Sequence, residues 1–198
     1  MSNIFSKMVA ISGVAAIGAF LAVAAAPAGW FLAGSKPANY ETGVDQKASF
    51  NGHPSANLKA KTDADGFGTL MQSISAAEYA GKRVRFSAFV KAEGVTRWSG
   101  LWLRVDGPPS PQSSYPEMLG FDNMQDRAIK GTTGWQKYEV VLDVNEKAKG
   151  ISYGILLDGP GEVLLNSANF EVVGLGVPTT SKTKTAMPDG PKNLGFDK

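Results

Sequence analysis

Cysteine is absent from the 198-residue chain, and histidine occurs once. The first absence excludes disulfides, thiolate metal sites and a cysteine nucleophile together. The second leaves zinc without its usual ligand set, and any Ser-His-Asp mechanism would have to use His53. That histidine lies in Asn51-Gly52-His53-Pro54, a turn-like setting, and no Gly-x-Ser-x-Gly elbow accompanies it. It reads as a surface-loop residue. Strong charge of either sign is also missing, since the formal net charge is only +2. The short clusters Lys82-Arg83-Arg85 and Lys182-Lys184 are too sparse for the basic stripe that a nucleic-acid binder carries, so no nucleic-acid partner is expected. Beyond Pro37 there is no long apolar segment of helical period.

What is present points to a turn-rich β protein. Hydrophobic residues at 43% and charged residues at 19% are those of an ordinary globular chain, which argues against wholesale disorder. The 23 glycines and 11 prolines supply turns. The length suits one domain plus a targeting segment.

At the N-terminus, Lys7 is the only charged residue before Lys36, and residues 8–26 are apolar. This is the architecture of an export signal, with Ala26-Pro27-Ala28 offering small residues where signal peptidase reads, so that cleavage would fall before Gly29. The expected organisation is a signal peptide over 1–28, a sandwich domain over 29–176 and a flexible tail over 177–198, with a periplasmic or secreted location. An uncleaved membrane anchor is the competing reading, because the apolar stretch approaches the length of a bilayer span. Contact with a membrane is expected only through that segment, if it stays uncleaved.

Period-2 alternation recurs through the rest. Residues 82–91 put Val84, Phe86, Ala88 and Val90 on one face and Arg83, Arg85, Ser87 and Lys91 on the other, with Phe89 on the polar side. Residues 100–106 align Leu101, Leu103 and Val105 against Trp102, Arg104 and Asp106. Further strands are expected over 56–61, 67–75, 135–144, 151–157 and 162–173, the last broken near Asn166-Ser167. A turn is expected around Asp65-Gly66, a helical turn over 76–81, and a hairpin at Asp158-Gly159-Pro160-Gly161. Residues 107–112, with Pro108, Pro109 and Pro111, read as a surface loop. Short strands joined by turns too short for crossover helices give an all-β, antiparallel jelly-roll sandwich, with a closed barrel as the alternative.

The stretches WFLAGSKPANYETGVD (30–45), GFGTLMQSISAAEYAGKRVRFSAFVK (66–91), WSGLWLRVDG (98–107), LGFDNMQDRAIKGTTGWQKYEVVLDV (119–144) and FEVV (170–173) resemble a bacterial jelly-roll module. That module, similar to galactose-binding-like and carbohydrate-binding sandwiches, occurs alone behind signal peptides or fused to the DNA-binding domains of transcriptional regulators. The resemblance implies an effector- or ligand-binding role rather than DNA binding, and names no activity.

Two groups of residues could carry chemistry. Trp102 and Arg104 stand side by side on one face of their strand, an indole beside planar donors, a pairing suited to a sugar ring, an aromatic acid or a carboxylate. The pattern leaves open which face is interior, and with it the alternative that Trp102 is a core residue and Arg104 pairs with Asp106 or Asp122. The second group is the polar run from Phe121 through Asp122, Asn123, Met124, Gln125, Asp126 and Arg127, which could line a cleft. Its alternative is structural: Asp122 and Asn123 cap a turn and Arg127 braces the fold. Expected ligand contacts are therefore Trp102, Arg104, Asp122, Asn123, Gln125 and Arg127, with no catalytic residue, metal or cofactor assigned. Asp63 and Asp65 are the candidates for a calcium ion, and Trp98 and Trp135 read as packing residues. The leading expectation is an exported module binding a small-molecule or carbohydrate-like ligand. An enzyme using Asp122 or Asp126 as acid or base, and an envelope protein-interaction domain, are the alternatives.

Overall fold

The computed structural model describes residues 25–62, 64–109, 113 and 115–181. Nine strands follow one another: β1 (Phe31–Gly34), β2 (Tyr40–Phe50), β3 (His53–Ala60), β4 (Phe67–Ser75), β5 (Arg83–Pro109), β6 (Pro116–Asp122), β7 (Ile129–Asp143), β8 (Gly150–Asp158) and β9 (Glu162–Val173). Every pairing is antiparallel. No helix among the described residues is long and apolar enough to cross a membrane.

The stretches 82–91 and 100–106 prove to be two halves of the single 27-residue strand β5. Its first half pairs with β7 and β9, its second with β8 and β6. The register shifts between Val90 and Ser99 mark where it bends from one sheet into the other. One sheet therefore runs β1-β4-β8-β5-β6 and the other β7-β5-β9-β3-β2. The described strands form an open sandwich joined through β5, and the outermost strands β1 and β2 do not pair with each other.

The alternation within β5 decides the core. Val84, Phe86, Ala88 and Val90 from one half and Leu101, Leu103 and Val105 from the other are buried together with Ile151, Tyr153, Ile155 and Leu157 of β8. Each leucine so enclosed contributes about 1.5–3 kcal/mol. The opposite face of the second half, which carries Trp102 and Arg104, thus looks away from the core.

Several local expectations are corrected. Asp158-Gly159-Pro160-Gly161 is not a hairpin, because β8 and β9 belong to different sheets and the turn is an arch between them. The Asp65-Gly66 turn does the same between β3 and β4. The proline-rich loop is shorter than expected, since β5 continues to Pro109, paired with Pro116; at a hairpin end on a sheet margin, a missing N–H costs little. β9 is continuous, but it bulges where expected, with Ser167 at φ 50° and a register shift between Ser87 and Phe89. There Asn166 Nδ2 donates to the carbonyls of His53 and Pro54, tying down the β2–β3 hairpin.

The segment expected to be a free tail is partly fastened. Arg83 donates to the carbonyls of Leu175 and Val177, and the Thr180 N–H donates to the Val141 carbonyl at 2.9 Å. These backbone groups give the chain a route along β7 that its Thr, Lys, Pro and Gly composition does not announce. Residues 182–198, like residues 1–24 with most of the segment expected to be an export signal, lie outside the described residues.

Candidate functional site

On the outer face of the five-stranded sheet, a cleft of about 510 Å³ is lined by residues from all five strands. Its size is that of a small-molecule site. The register explains the convergence. Trp98, Trp102, Arg104 and Asp106 of β5 lie opposite Asp158, Gly154, Ser152 and Gly150 of β8. Met71 and Thr69 of β4 lie beyond, paired with Gly154 and Leu156.

Trp102 forms the floor. It is only 8% exposed, and its indole N–H donates to Thr69 Oγ1 at 2.7 Å. To reach a residue two strands away, the indole has to span β8, where its register partner Gly154 carries no side chain. Thr69 in turn donates to the Ile155 carbonyl at 2.9 Å, so the ring is held at its polar edge. The platform expected from Trp102 alone is thus mostly covered. Half-buried Trp98, with Phe67 (38% exposed) and Phe121 (41%), supplies the accessible ring surface around it.

The polar groups sit at the margins. Arg104 Nε donates to Asp106 Oδ1 at 2.7 Å, and Asp158 is ion-paired with Arg97 at 3.1 Å. Each carboxylate in the cleft already faces a guanidinium, so the cleft carries no large net field. Asn123 lines the rim, with its Oδ1 accepting from the Gln125 N–H at 3.1 Å.

Of the six expected ligand contacts, the fold brings Trp102, Arg104 and Asn123 into this cleft. Asp122, Gln125 and Arg127 are not among its lining residues. Asp122 is paired with Leu103, one residue out of phase with the cleft face, and its side chain is 5% exposed. Arg127 bonds both of its oxygens, at 2.7 and 3.2 Å. The Met124 N–H donates at 2.9 Å and the Thr180 hydroxyl at 2.5 Å. Burial would raise the Asp122 carboxyl, but the bonds from Arg127, Thr180 and Met124 outweigh it and hold it below the usual carboxylate range. Arg127 also pairs with Asp126 at 3.0 Å. A general acid needs the opposite shift; Asp122 instead braces, through Arg127, a corner at which Met124 takes φ 60°. Gln125 and Asp126 line a shallow depression beyond β6, shared with Ser181.

Among the described residues, no group of three or more His, Cys, Asp or Glu is placed to hold a metal ion. Asp65 accepts from Asn39 at 2.7 Å, and Asp63 lies outside the described residues. His53 is exposed at the start of β3. Sequence reading missed Trp98, Phe67 and Asp158, and it placed Phe121 in a cleft-lining run without counting it as a contact. Trp98 had a usable signal, being four residues from Trp102 and therefore on the same face of any strand that spans both. Trp135 does pack, against Phe50 at 5.0 Å.

No family model matches the chain. It is 41% identical over 172 residues to an uncharacterised HTH-type transcriptional regulator, YbfP, of Bacillus subtilis, covering 85% of this chain and 56% of that protein. The chain thus spans little more than half the length of this relative. Among solved structures, it resembles the family 22 xylan-binding domain of Paenibacillus barcinonensis Xyn10C, with a TM-score of 0.54 at 14% identity, over 76% of this chain and 90% of the other. It also resembles the family 30 carbohydrate-binding module of a Clostridium thermocellum cellulosomal cellulase, with a TM-score of 0.50 at 14% identity, over 75% and 94%. At such identities the likeness is one of fold. The chain is a jelly-roll sandwich module with the fold of these carbohydrate-binding modules, and it is similar over most of its length to part of a longer protein named as a transcriptional regulator.

Proposed function

We propose that this protein is an exported carbohydrate-binding module that holds a short, uncharged oligosaccharide in the cleft over Trp102. The observation that carries the reading is the combination in one cleft of accessible rings (Trp98, Phe67, Phe121) with amide, carboxylate and guanidinium groups. Sugars present apolar C–H faces and hydroxyl edges, and this lining offers a partner for each. The mutual pairing of Arg104 with Asp106 and of Arg97 with Asp158 favours a neutral ligand, because a uronate would have to compete with a carboxylate already in place. The fold of the xylan-binding domain makes plant polysaccharides the first probes.

Trp98→Ala is expected to weaken binding at least tenfold, about 1.4 kcal/mol, while leaving the melting temperature nearly unchanged. Affinity electrophoresis in gels containing xylan, mixed-linkage glucan or galactan checks this. Equal retardation of the two proteins in every gel that slows the wild type would sink the assignment of the cleft.

Export rests on the apolar segment over 8–26 and on Ala26-Pro27-Ala28. N-terminal sequencing of material recovered outside the cytoplasm is expected to begin at Gly29. An intact Met1 in a membrane fraction would instead favour the anchored alternative.

A further inference from the structure

A second cavity, of about 250 Å³, opens at one end of the sandwich, lined by Trp30, Gln72, Phe86, Tyr153, Ala168, Asn169 and Phe170. It lies on the other side of the β4–β8 pair from the cleft. Along β4, Met71 faces the cleft and Gln72 this cavity; along β8, Ser152 and Leu156 face the cleft and Tyr153 points inward. Alternation therefore separates the two sites by the thickness of the sheet.

The walls are aromatic. Tyr153 stacks on Phe170 at 4.7 Å, lies 4.9 Å from Phe86, and meets Trp30 edge-on at 6.1 Å. Tyr153 OH donates to Gln72 Oε1 at 2.6 Å, and burial raises its pKa, so the phenol is neutral at physiological pH. At the mouth stand two side-chain amides, half-buried Gln72 and exposed Asn169. Among the described residues, neither the Gln72 NH2 nor the Asn169 side chain has a hydrogen-bond partner. Aspartate, glutamate, lysine and arginine are all absent from the lining.

We infer that this end cavity is a second binding site, taking a single uncharged ring with adjacent hydroxyl groups, in the manner of one neutral monosaccharide unit. The half-buried rings of Trp30 and Phe170, backed by the enclosed Tyr153 and Phe86, pack against the C–H face of such a unit, and amides, each both donor and acceptor, match neighbouring hydroxyls. The cavity has half the volume of the cleft, and no group in it would counter a charge. A protein so built holds two sugar units through opposite faces of one sheet, and its avidity for a branched or multi-chain glycan exceeds its affinity for either site alone.

The four tryptophans give a site-resolved test, because each contributes one indole N–H signal to a proton–nitrogen correlation spectrum. Titration of the whole chain with D-xylose, D-glucose, D-galactose and N-acetyl-D-glucosamine is expected to shift the Trp30 indole signal and the Gln72 and Asn169 amide signals with at least one sugar. Asn169→Ala, at an exposed position that does not endanger the fold, is expected to weaken that response about tenfold, and Trp98→Ala is expected to leave it unchanged. If the Trp30, Gln72 and Asn169 signals stay fixed at high millimolar concentrations of every sugar, or if Asn169→Ala titrates like the wild type, the second site is overturned. Movement of Trp98 and Trp102 without Trp30 would likewise overturn it while supporting the cleft. Movement of Trp30 without the other two would support it as a site of its own, independent of the cleft.

Discussion

Arg127→Ala is expected to lower stability by about 3 kcal/mol, which for a domain of this size is a fall of roughly 6–12 °C in melting temperature. The cause is the carboxylate it would abandon. Asp122 is almost fully enclosed and receives two bonds from Arg127; removing one partner of a buried pair leaves an uncompensated charge. The estimate sits at the low end of the range because the Met124 N–H and the Thr180 hydroxyl remain, and because a third of the Arg127 side chain is solvated. Asp126→Ala, which removes only the more exposed partner of the same guanidinium, is expected to change stability by less than about 1 kcal/mol. Urea titrations of the two variants check the contrast, and equal midpoints would refute it.

The same carboxylate gives the fold a defined acid sensitivity. Its pKa is depressed in the folded state, so its contribution is complete above the unfolded value of about 4. The contribution is lost as pH falls through the lower folded value. Stability measured downward from pH 6 is expected to decline more steeply in the wild type than in Asp122→Asn, which has no proton to take up at that position. Parallel curves would show that the Arg127 pair does not carry the effect.

Gly154→Ala is expected to destabilise by about 3 kcal/mol or more, at or above the upper end of overpacking costs, and to abolish ligand binding in the cleft. A Cβ built at Gly154 stands 2.2 Å from the Leu70 carbonyl oxygen, 2.9 Å from Met71 Cα and 3.0 Å from Met71 Cβ. Two of these atoms are backbone, so relief requires β4 and β8 to part rather than a side chain to swing. Parting β4 from β8 also draws Thr69, on β4, away from the Trp102 indole N–H that it accepts. A buried indole N–H without an acceptor costs a further 1–3 kcal/mol or so. Thermal melts combined with the Trp102 indole signal test both parts. Ser152→Ala, on the same face of β8 at an exposed hydrogen bond with Ser73, is the matched control and is expected to stay within about 0.5 kcal/mol of wild type. A Gly154→Ala protein that melts like this control would refute the prediction.

Strands with one apolar face were legible because alternation needs no knowledge of partners: the inward sets of β5 and β8 are the ones that periodicity marks. β1 and β2 were missed for the complementary reason. Phe31–Gly34 is only four residues long, and Tyr40–Phe50 is a sheet edge with Gly43, Asp45 and Lys47 along it, so neither carries a clear period. The turn at 158–161 was legible as a turn but not as an arch, since turn chemistry fixes a local reversal and not which sheet the next strand joins. In the site, the adjacency of Trp102 and Arg104 was readable within one strand. The separation of Asn123 from Asp122 was not, because it depends on the register of β6 against Leu103. Phe67 and Asp158 entered through pairings more than fifty residues apart in sequence, which no local pattern encodes.

The passage of β5 through both sheets has a dynamic consequence. Its backbone is bonded to four other strands, two on each half, so the sandwich has no seam along which one sheet could open while the other stays closed. Partial openings are expected at the marginal strands β1, β2, β6 and β7, and the amide hydrogens of Val84, Phe86, Leu101 and Leu103 are expected to exchange with solvent only when the whole molecule unfolds. The floor of the cleft, resting on the second half of that strand, is therefore among the slowest-exchanging parts of the protein, and a ligand finds its site already made.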